Sequence, residues 1–187
     1  MALYAEYGDR IVEQVRDYHL RHGGISRFKK FRYYQEVLLD KTLTPDDEQK
    51  LGDRFSHYVE DAVVAAKYVA GASEFLEKNY QSIPLFVASG TPDPELKRII
   101  TRRKMQHYFK SVHGSPAQKG DIIQAIINNH GFDRERILMI GDAIADYEGA
   151  NIAGVKFIGR VLQYPETAPF PSATTVLPHL ISLSSRF

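Results

Sequence analysis

Hydrophobic residues in the first 80 positions recur every three or four residues, a spacing typical of amphipathic helices and not of strands. The pattern predicts helices over residues 4–22, 26–39, 45–68 and 72–79. Gly23 and Gly24 end the first helix, and Ser26 is the expected N-cap of the second. The third has the strongest start signal, because Thr44 as N-cap precedes Pro45 and three consecutive acidic residues. This half of the chain is therefore predicted to form a small antiparallel helical bundle.

After residue 80 the pattern changes to short apolar runs that alternate with helical segments. The predicted strands cover 83–89, 111–113, 136–140 and 155–158, and the predicted helices between them cover 92–103, 117–130 and 145–153. A loop with Pro165, Pro169 and Pro171 precedes a predicted edge strand at 173–177. Strands that alternate with helices indicate βαβ units, so the predicted fold class is α/β with a mostly parallel sheet.

The composition narrows the classes of partner. The net charge of the 187-residue chain is +1, which gives no electrostatic reason to expect nucleic acid or a membrane as a partner. The basic cluster of Arg98, Arg102, Arg103 and Lys104 is predicted to be a solvated helix face. The chain has no cysteine, no apolar run of about 18 residues and no N-terminal signal pattern. We therefore expect neither disulfides nor thiolate metal sites, and a cytoplasmic location.

The run from Ile137 to Asp146 carries the most informative polar residues of the chain. It predicts a buried strand that ends in two acidic residues, Asp142 and Asp146, four positions apart. Oxygen ligands are those that Mg²⁺ prefers, and open α/β sheets bind ligands at the carboxyl ends of their strands. The pair is thus a candidate Mg²⁺ site. The alternative is that one aspartate caps the following helix and the other is solvated.

Two further groups follow predicted strand ends. Ser89, Gly90 and Thr91 lead from the first strand into a helix, where a hydroxyl and free backbone N–H groups can bind an anion. The alternative is that Thr91 merely caps the helix. Lys119 opens a later helix, and a cation at a helix N-terminus is unfavourable unless an anion lies nearby. The alternative for this lysine is an ordinary surface position.

A hydroxyl, a lysine and two acids, in this order and at the ligand-binding end of a parallel sheet, resemble the motifs of the haloacid dehalogenase superfamily of phosphotransfer hydrolases. The matching stretches are 85–91, 119–123 and 140–154. The last is the most specific, since it combines Gly-Asp-x-x-x-Asp with an Ala-rich helix that ends in Ala-Gly. The resemblance implies a Rossmann-like core at 81–187 and a helical cap domain at 1–80, with a boundary roughly between 70 and 80. The stretch 24–31 is similar to caps of phosphoglycolate-phosphatase-like members, and within it Arg27 is a candidate for substrate recognition, with a surface role as the alternative.

By this resemblance the chain handles a small phosphorylated metabolite. Ser89 and the Gly90 amide would bind the transferring phosphoryl oxygens, and Lys119 would neutralise charge on the phosphoryl group and on the nucleophile. Asp142 would hold Mg²⁺ directly or through water, with Asp146 supporting the ion or its water shell. Phosphoryl transfer depends mainly on positioning and charge stabilisation, and this set of groups provides both.

One family motif is missing from the sequence. Members of the superfamily begin with a strand that ends in Asp-x-Asp-Gly, whose first aspartate is the nucleophile and whose second is the general acid/base. No Asp-x-Asp occurs upstream of Ser89, and Asp46 and Asp47 are adjacent residues in a helix start. In the family this strand lies between the strands that end at Ser89 and Asp142. We expect the flanking strands to pair directly, or another segment or chain to fill the slot, rather than an empty slot; a fold that is only partly familiar is the third outcome.

Two functional hypotheses result. The first is a Mg²⁺-dependent phosphatase of a small phosphomonoester that works through a phospho-aspartyl intermediate. It would be represented by a chain that lacks its catalytic strand, through truncation or a start codon assigned too far downstream. Without the nucleophile and one Mg²⁺ ligand, this chain is predicted to be inactive or nearly so and to bind metal weakly. The second hypothesis is a non-catalytic protein that binds phosphate or a phosphometabolite. An unfilled slot would also favour self-association into a homo-oligomer.

Overall fold

The first half of the protein is helical in the computed structural model, which describes residues 2–162 and 169–185. After a 3₁₀ segment at Ala2–Tyr7, the helices are α1 (Asp9–Arg21), α2 (Arg27–Arg32), α3 (Pro45–Ala65) and α4 (Ala72–Asn79), and a π-helical segment at Tyr33–Leu38 continues α2. The predicted helices are confirmed with one correction. The first is interrupted at Gly8, whose positive φ of 83° is incompatible with a continuous right-handed helix. No helix in the two described ranges combines the length and apolar character needed to cross a bilayer.

The start of α3 follows its sequence signal. Thr44 Oγ1 accepts a hydrogen bond from the Asp47 N–H at 3.2 Å, and Pro45 occupies the first turn, where its missing N–H costs nothing.

Because loss of an N-cap threonine costs about 1 kcal/mol, Thr44→Ala should lower the thermal midpoint by about 2–4 °C, measured by circular dichroism. Thr42→Ala, in the exposed loop just before, should change it by less than about 1 °C. Equal effects of both changes would show that the cap bond does not stabilise α3.

Strands and helices alternate in the second half, as predicted, and the fold is α/β. The elements are β1 (Phe86–Pro92), α5 (Asp93–Arg102), β2 (Ser111–Ser115), α6 (Lys119–His130), β3 (Leu138–Gly141), α7 (Ile144–Ala153), β4 (Lys156–Arg160) and β5 (Val176–Leu177). α6 and α7 end at Gly131 and Gly154, which adopt the left-handed conformation expected after a helix. The predicted edge strand is confirmed in the short β5, whereas Pro165 of the predicted loop lies outside the described residues.

The strands form two separate parallel sheets. β1 pairs with β2, and β3 pairs with β4, which pairs in turn with β5. Among the residues that the structure describes, β1 and β3 share no pairing and no strand lies between them. The expectation that the flanking strands pair directly is therefore wrong, and no other described segment fills the slot, whereas filling by another chain stays a prediction. An apolar groove of about 1360 Å³ lies there instead, with residues 82–88 along one wall and 135–140 along the other.

Helix packing keeps the two strand edges apart. α6 packs against β1, α7 packs against β3, and the two helices pack on each other. Gly149 makes this close approach possible, because a Cβ at this position would lie 2.7 Å from Lys119 Cβ. Moving β1 and β3 together by one strand spacing of about 4.8 Å would disrupt the contact between the helices. The groove is thus a consequence of how α6 and α7 are fixed.

Basic side chains of α5 join it to α3. Arg98 and Arg102 contact Glu60 at 2.9 and 3.1 Å, and Arg103 donates to three backbone carbonyls at the end of α3 at 2.7–2.9 Å. Arg98, Arg102 and Lys104 are exposed, as predicted for a solvated helix face, and the arginines of this face also bridge the helical half and the sheet half. Each exposed pair contributes little alone, and the guanidinium at the carbonyl end of α3 also complements the helix dipole.

Buried apolar side chains form separate clusters. The cluster of the helical half contains Leu3, Tyr4, Val15, Phe31, Tyr34 and Leu43. α4 does not belong to it, since Phe75 packs with Ile158 and Leu183 of the sheet half. The proposed domain boundary near residue 80 stays a prediction, and the packing of α4 favours the lower end of the predicted 70–80 range.

Candidate active site

The residues singled out in the sequence meet at one cavity. It has a volume of about 460 Å³ and lies between the helical half and the carboxyl ends of β1 and β3. Its lining includes all the predicted site residues: Arg27, Ser89, Gly90, Lys119, Asp142 and Asp146. Apart from Arg27, these residues lie in the C-terminal half of β1, directly after β3 or in the first turns of α6 and α7, so the parallel strand order brings them together.

Ser89 and Gly90 lie beneath the loop that joins α1 and α2. Ser89 Oγ accepts a hydrogen bond from the Thr91 N–H and donates one to Thr91 Oγ1, both at 3.2 Å. A Cβ on Gly90 would lie 2.7 Å from the Gly24 carbonyl oxygen, so glycine is required for the loop to approach this closely. The Ser89 hydroxyl is held in place locally, and its hydrogen can rotate from Thr91 to a bound anion.

Lys119 and Asp146 form a buried ion pair. Their side chains are 10% and 6% exposed, and Lys119 Nζ donates directly to Asp146 Oδ1. Asp146 Oδ2 accepts a hydrogen bond from the Ala143 N–H at 3.0 Å, so the same carboxylate caps the start of α7. Asp142 is exposed and lines the cavity, and within the described part of the chain no cation pairs with it. The two aspartates therefore differ: Asp146 holds the lysine, and Asp142 is free to bind a cation.

The residues present fit a Mg²⁺ ion only in part. Mg²⁺ takes six oxygen ligands, usually one or two carboxylates together with waters and substrate phosphates. Across residues 2–162 and 169–185, no group of three or more His, Asp or Glu side chains is arranged to hold a metal. Because Asp146 is engaged by Lys119, Asp142 is the carboxylate left for the ion.

Arg27 lines the cavity, but its guanidinium binds another side chain. Its Nη1 and Nη2 donate to the two carboxylate oxygens of Glu95 at 2.8 and 2.7 Å, and Nη1 also donates to Ser56 Oγ at 2.9 Å. The guanidinium lies over the Phe55 ring, 4.5 Å from its centroid. Both charged side chains are buried. The geometry gives Arg27 a structural role that ties α2 to α5, and its role in substrate recognition stays a prediction.

The cavity is also lined by polar side chains of the helical half that were not candidates in the sequence analysis, among them His19, Lys30 and Tyr34. Lys30 and Tyr34 are four residues apart and only 6% and 3% exposed, so they share the buried face of their helix. The sequence carried one signal for them, a lysine next to Phe31 inside an otherwise apolar stripe.

Parallel strands with a hydroxyl, a lysine and carboxylates at their carboxyl ends define a class of α/β proteins that bind anionic ligands there. The model of the haloacid dehalogenase-like hydrolase family matches residues 10–160. Since this span is most of the chain, the protein belongs to the haloacid dehalogenase-like hydrolases. The family predicted from the motifs is thereby confirmed.

Individual relatives agree with this assignment. A 5′-nucleotidase from Pseudomonas aeruginosa is 29% identical over 123 residues, which are 60% of this chain and 56% of that protein. The chain thus spans little more than half the length of this relative. A predicted phosphoglycolate phosphatase from Haemophilus somnus has the same fold, with a TM-score of 0.69 and 17% identity over 96% of this chain and 82% of that chain. A predicted phosphatase from Clostridium acetobutylicum gives a TM-score of 0.68 and 20% identity over 87% and 77% of the two chains.

Proposed function

We propose that this chain provides the phosphate-binding and Mg²⁺-binding part of a phosphatase for a small phosphomonoester, a reaction that passes through a phospho-aspartyl intermediate. The proposal rests on one observation: a hydroxyl, a backbone N–H, a lysine and a carboxylate line one cavity. They belong to Ser89, Gly90, Lys119 and Asp142. The curated 5′-nucleotidase relative and the phosphatases of the same fold support this class of reaction.

Each of these residues has a separate task. The Ser89 hydroxyl and the backbone N–H of Gly90 hold phosphoryl oxygens at the end of β1. Lys119 supplies positive charge, and Asp146 orients its ammonium while also fixing the start of α7. Asp142 is the carboxylate for Mg²⁺, which when bound would neutralise the remaining phosphoryl charge.

None of the described carboxylates of the cavity occupies the place of the family's nucleophile. Among its described lining residues the carboxylates are those of Asp142 and Asp146, and Lys119 holds the second. Neither lies at the position of the family's nucleophile, which is the end of the strand between β1 and β3. Because loss of a nucleophile costs several orders of magnitude in rate, the chain alone is proposed to be inactive or nearly so.

The groove between β1 and β3 leads directly into the cavity, because Val87, Ala88, Met139 and Ile140 line both. Its facing strand edges have no strand partner within the described chain. A parallel strand of five residues, about 17 Å long, would satisfy the backbone groups of both edges and bury its own apolar side chains. The residue that follows such a strand would enter the cavity. We therefore assign the groove to an apolar strand that ends in a carboxylate, the chemistry of Asp-x-Asp-Gly.

Inorganic phosphate tests the binding site without turnover. In a calorimetric titration with Mg²⁺ present, we expect Ser89→Ala to bind phosphate roughly ten- to a hundredfold more weakly than the unmodified chain. The reason is that a hydrogen bond to a charged group contributes about 1.5–3 kcal/mol. Ser82→Ala is the matched control, since Ser82 Oγ donates to the Asn79 carbonyl at 3.2 Å and Ser82 is not among the residues that line the cavity. No phosphate binding to the unmodified chain would contradict the proposal.

The second candidate function is a non-catalytic protein that binds phosphate or a phosphometabolite. The observation that favours it is again the cavity lining, whose described residues provide groups for binding an anion and no carboxylate in the place of the family's nucleophile. It shares the phosphate-binding prediction with the first candidate. The two differ in whether a supplied carboxylate produces turnover.

A further inference from the structure

Lys30 is a buried amine that no carboxylate neutralises in the part of the chain that the structure describes. The residue is 6% exposed and lines the cavity. The other cavity cations differ from it, since Arg27 and Lys119 each bind a carboxylate. A buried ammonium without a counter-charge is unfavourable, whereas a neutral amine tolerates burial. The surroundings of Lys30 therefore favour its neutral form, and burial lowers its pKa.

His19 lies beside this amine. Lys30 Nζ is 3.4 Å from His19 Nδ1 and 3.4 Å from the His19 carbonyl oxygen. Burial and the neighbouring Lys30 lower the pKa of His19, so its imidazole is neutral near pH 7. A neutral imidazole has one ring nitrogen that accepts a proton, and Nδ1 is the nitrogen within reach of Lys30. The pair thus combines an amine with a base placed to take its proton.

The cavity provides the conditions in which a lysine acts as a nucleophile. An amine attacks a carbonyl carbon only in its neutral form, and proteins increase the neutral fraction of a lysine by removing it from water. Phe31 and Phe55 line the same cavity, whose volume of about 460 Å³ admits a small organic molecule. Among carbonyl compounds, a small aldehyde meets the least steric hindrance at a side chain as buried as Lys30.

We infer that the Lys30 amine forms an imine with a small aldehyde that enters the cavity, and that His19 transfers the protons of this reaction. The nitrogen lone pair forms the N–C bond while the π electrons of the carbonyl group move to its oxygen. His19 Nδ1 accepts each proton that the nitrogen loses and passes it to that oxygen, which first becomes a hydroxyl and then leaves as water.

One amine and one aldehyde thus give one imine and one water, without an oxidant or a reductant. The reaction needs neither Mg²⁺ nor the aspartate of the missing motif. It is therefore an activity of this cavity that goes beyond the proposed phosphatase reaction.

Reductive trapping tests the inference on the full chain without any substitution. The chain is incubated at pH 7 with glycolaldehyde and sodium cyanoborohydride, which reduces an imine to a stable secondary amine, and peptide mass spectrometry identifies the modified lysines. Lys29 is the control within the same molecule, since it is half-buried and its Nζ donates to Gln118 Oε1 at 3.0 Å in an exposed contact. Lys30 should react about a hundredfold faster than Lys29, the lower end of what acid–base assistance contributes.

The dependence on aldehyde concentration shows whether the reaction takes place in a binding site. The rate at Lys30 should saturate, because the aldehyde first binds in the cavity, whereas the rate at Lys29 should increase linearly. A Lys30 that reacts no faster than Lys29, or whose rate increases linearly, overturns the inference.

His19→Asn tests the proton transfer. His19 is exposed, so this variant should keep its thermal midpoint within about 1 °C by circular dichroism. The rate at Lys30 should fall about a hundredfold, to that of Lys29, and the rate at Lys29 should not change. Fast modification of Lys30 that persists in His19→Asn overturns the role of His19. The phosphate titration contains no aldehyde and depends on Ser89, so the proposed function and this inference can fail separately.

Discussion

A synthetic peptide with an apolar run that ends in Asp-x-Asp-Gly, added to this chain, is expected to start Mg²⁺-dependent hydrolysis of an aryl phosphate. The peptide would pair with the free edges of β1 and β3 and bring its first aspartate to the end of the groove, beside Ser89 and Lys119. Since removal of a nucleophile costs several orders of magnitude, the expected gain over the chain alone is at least about 10³-fold. The rate is measured with p-nitrophenyl phosphate as the aryl phosphate, by following the release of p-nitrophenolate at a saturating concentration of the peptide.

Two control peptides separate chemistry from pairing. The same peptide with Asn in place of the first Asp should protect the β1 and β3 amides from hydrogen exchange without producing turnover. A peptide with proline in the middle of its apolar run should do neither, because proline cannot donate to the ladder. Protection without turnover by the Asp peptide would favour the non-catalytic binding protein. Hydrolysis by the chain alone, at a rate comparable with the peptide complex, would disprove the predicted inactivity.

Glu95→Ala is expected to destabilise the protein by about 3–5 kcal/mol, because it leaves the buried guanidinium of Arg27 without its carboxylate. Glu95 also accepts a direct hydrogen bond from Ser56 Oγ, so one substitution removes an acceptor from two side chains, although Ser56 keeps the Gly52 carbonyl at 3.0 Å. The hydrogen bonds of Glu95 with Arg27 and Ser56 join α2 and α3 to α5. Because Arg27 lines the cavity, their loss should also make the helical wall of the cavity less rigid. Urea unfolding, followed by circular dichroism and analysed for both midpoint and slope, measures the change in free energy.

The double variant Arg27→Met/Glu95→Leu tests whether the cost comes from the unpaired charge. Replacing both partners by apolar side chains of similar size is often neutral, so this variant should recover most of the stability lost in Glu95→Ala. Glu13→Ala, which removes an exposed contact to Arg16 at 3.4 Å, should cost less than about 1 kcal/mol. If Glu13→Ala and Glu95→Ala cost the same, the buried pair does not hold the two halves together.

Local signals in the sequence were sufficient to predict most of the helices and strands. The cap at Thr44 and the terminating glycines at 131 and 154 act within one helical turn, so their effects can be predicted from neighbouring residues alone. The open groove could not be predicted in this way. It depends on the contact of α6 with α7, which Gly149 permits, and no residue near β1 or β3 carries a signal for it.

The same distinction applies to the site. Ser89, Lys119 and Asp142 could be located because motif residues at strand ends converge whenever the strands are parallel. The sequence also suggested that the two aspartates differ and that one could cap the following helix, but it could not show that Asp146 makes the cap and pairs with Lys119. Arg27 and Glu95 are 68 residues apart in the sequence, so no local pattern of residues could predict their contact.

The side chains shared by the groove and the cavity would couple the two proposed binding events, that of a strand and that of phosphate. Val87, Ala88, Met139 and Ile140 belong to the walls of both, so a strand in the groove alters the surroundings of a bound phosphate. Thermodynamic linkage then requires reciprocity: if the strand raises phosphate affinity tenfold, phosphate raises strand affinity by the same factor. The abundance of a phosphorylated metabolite would thereby set the occupancy of the groove, and the ligand would control the assembly of the site that receives it.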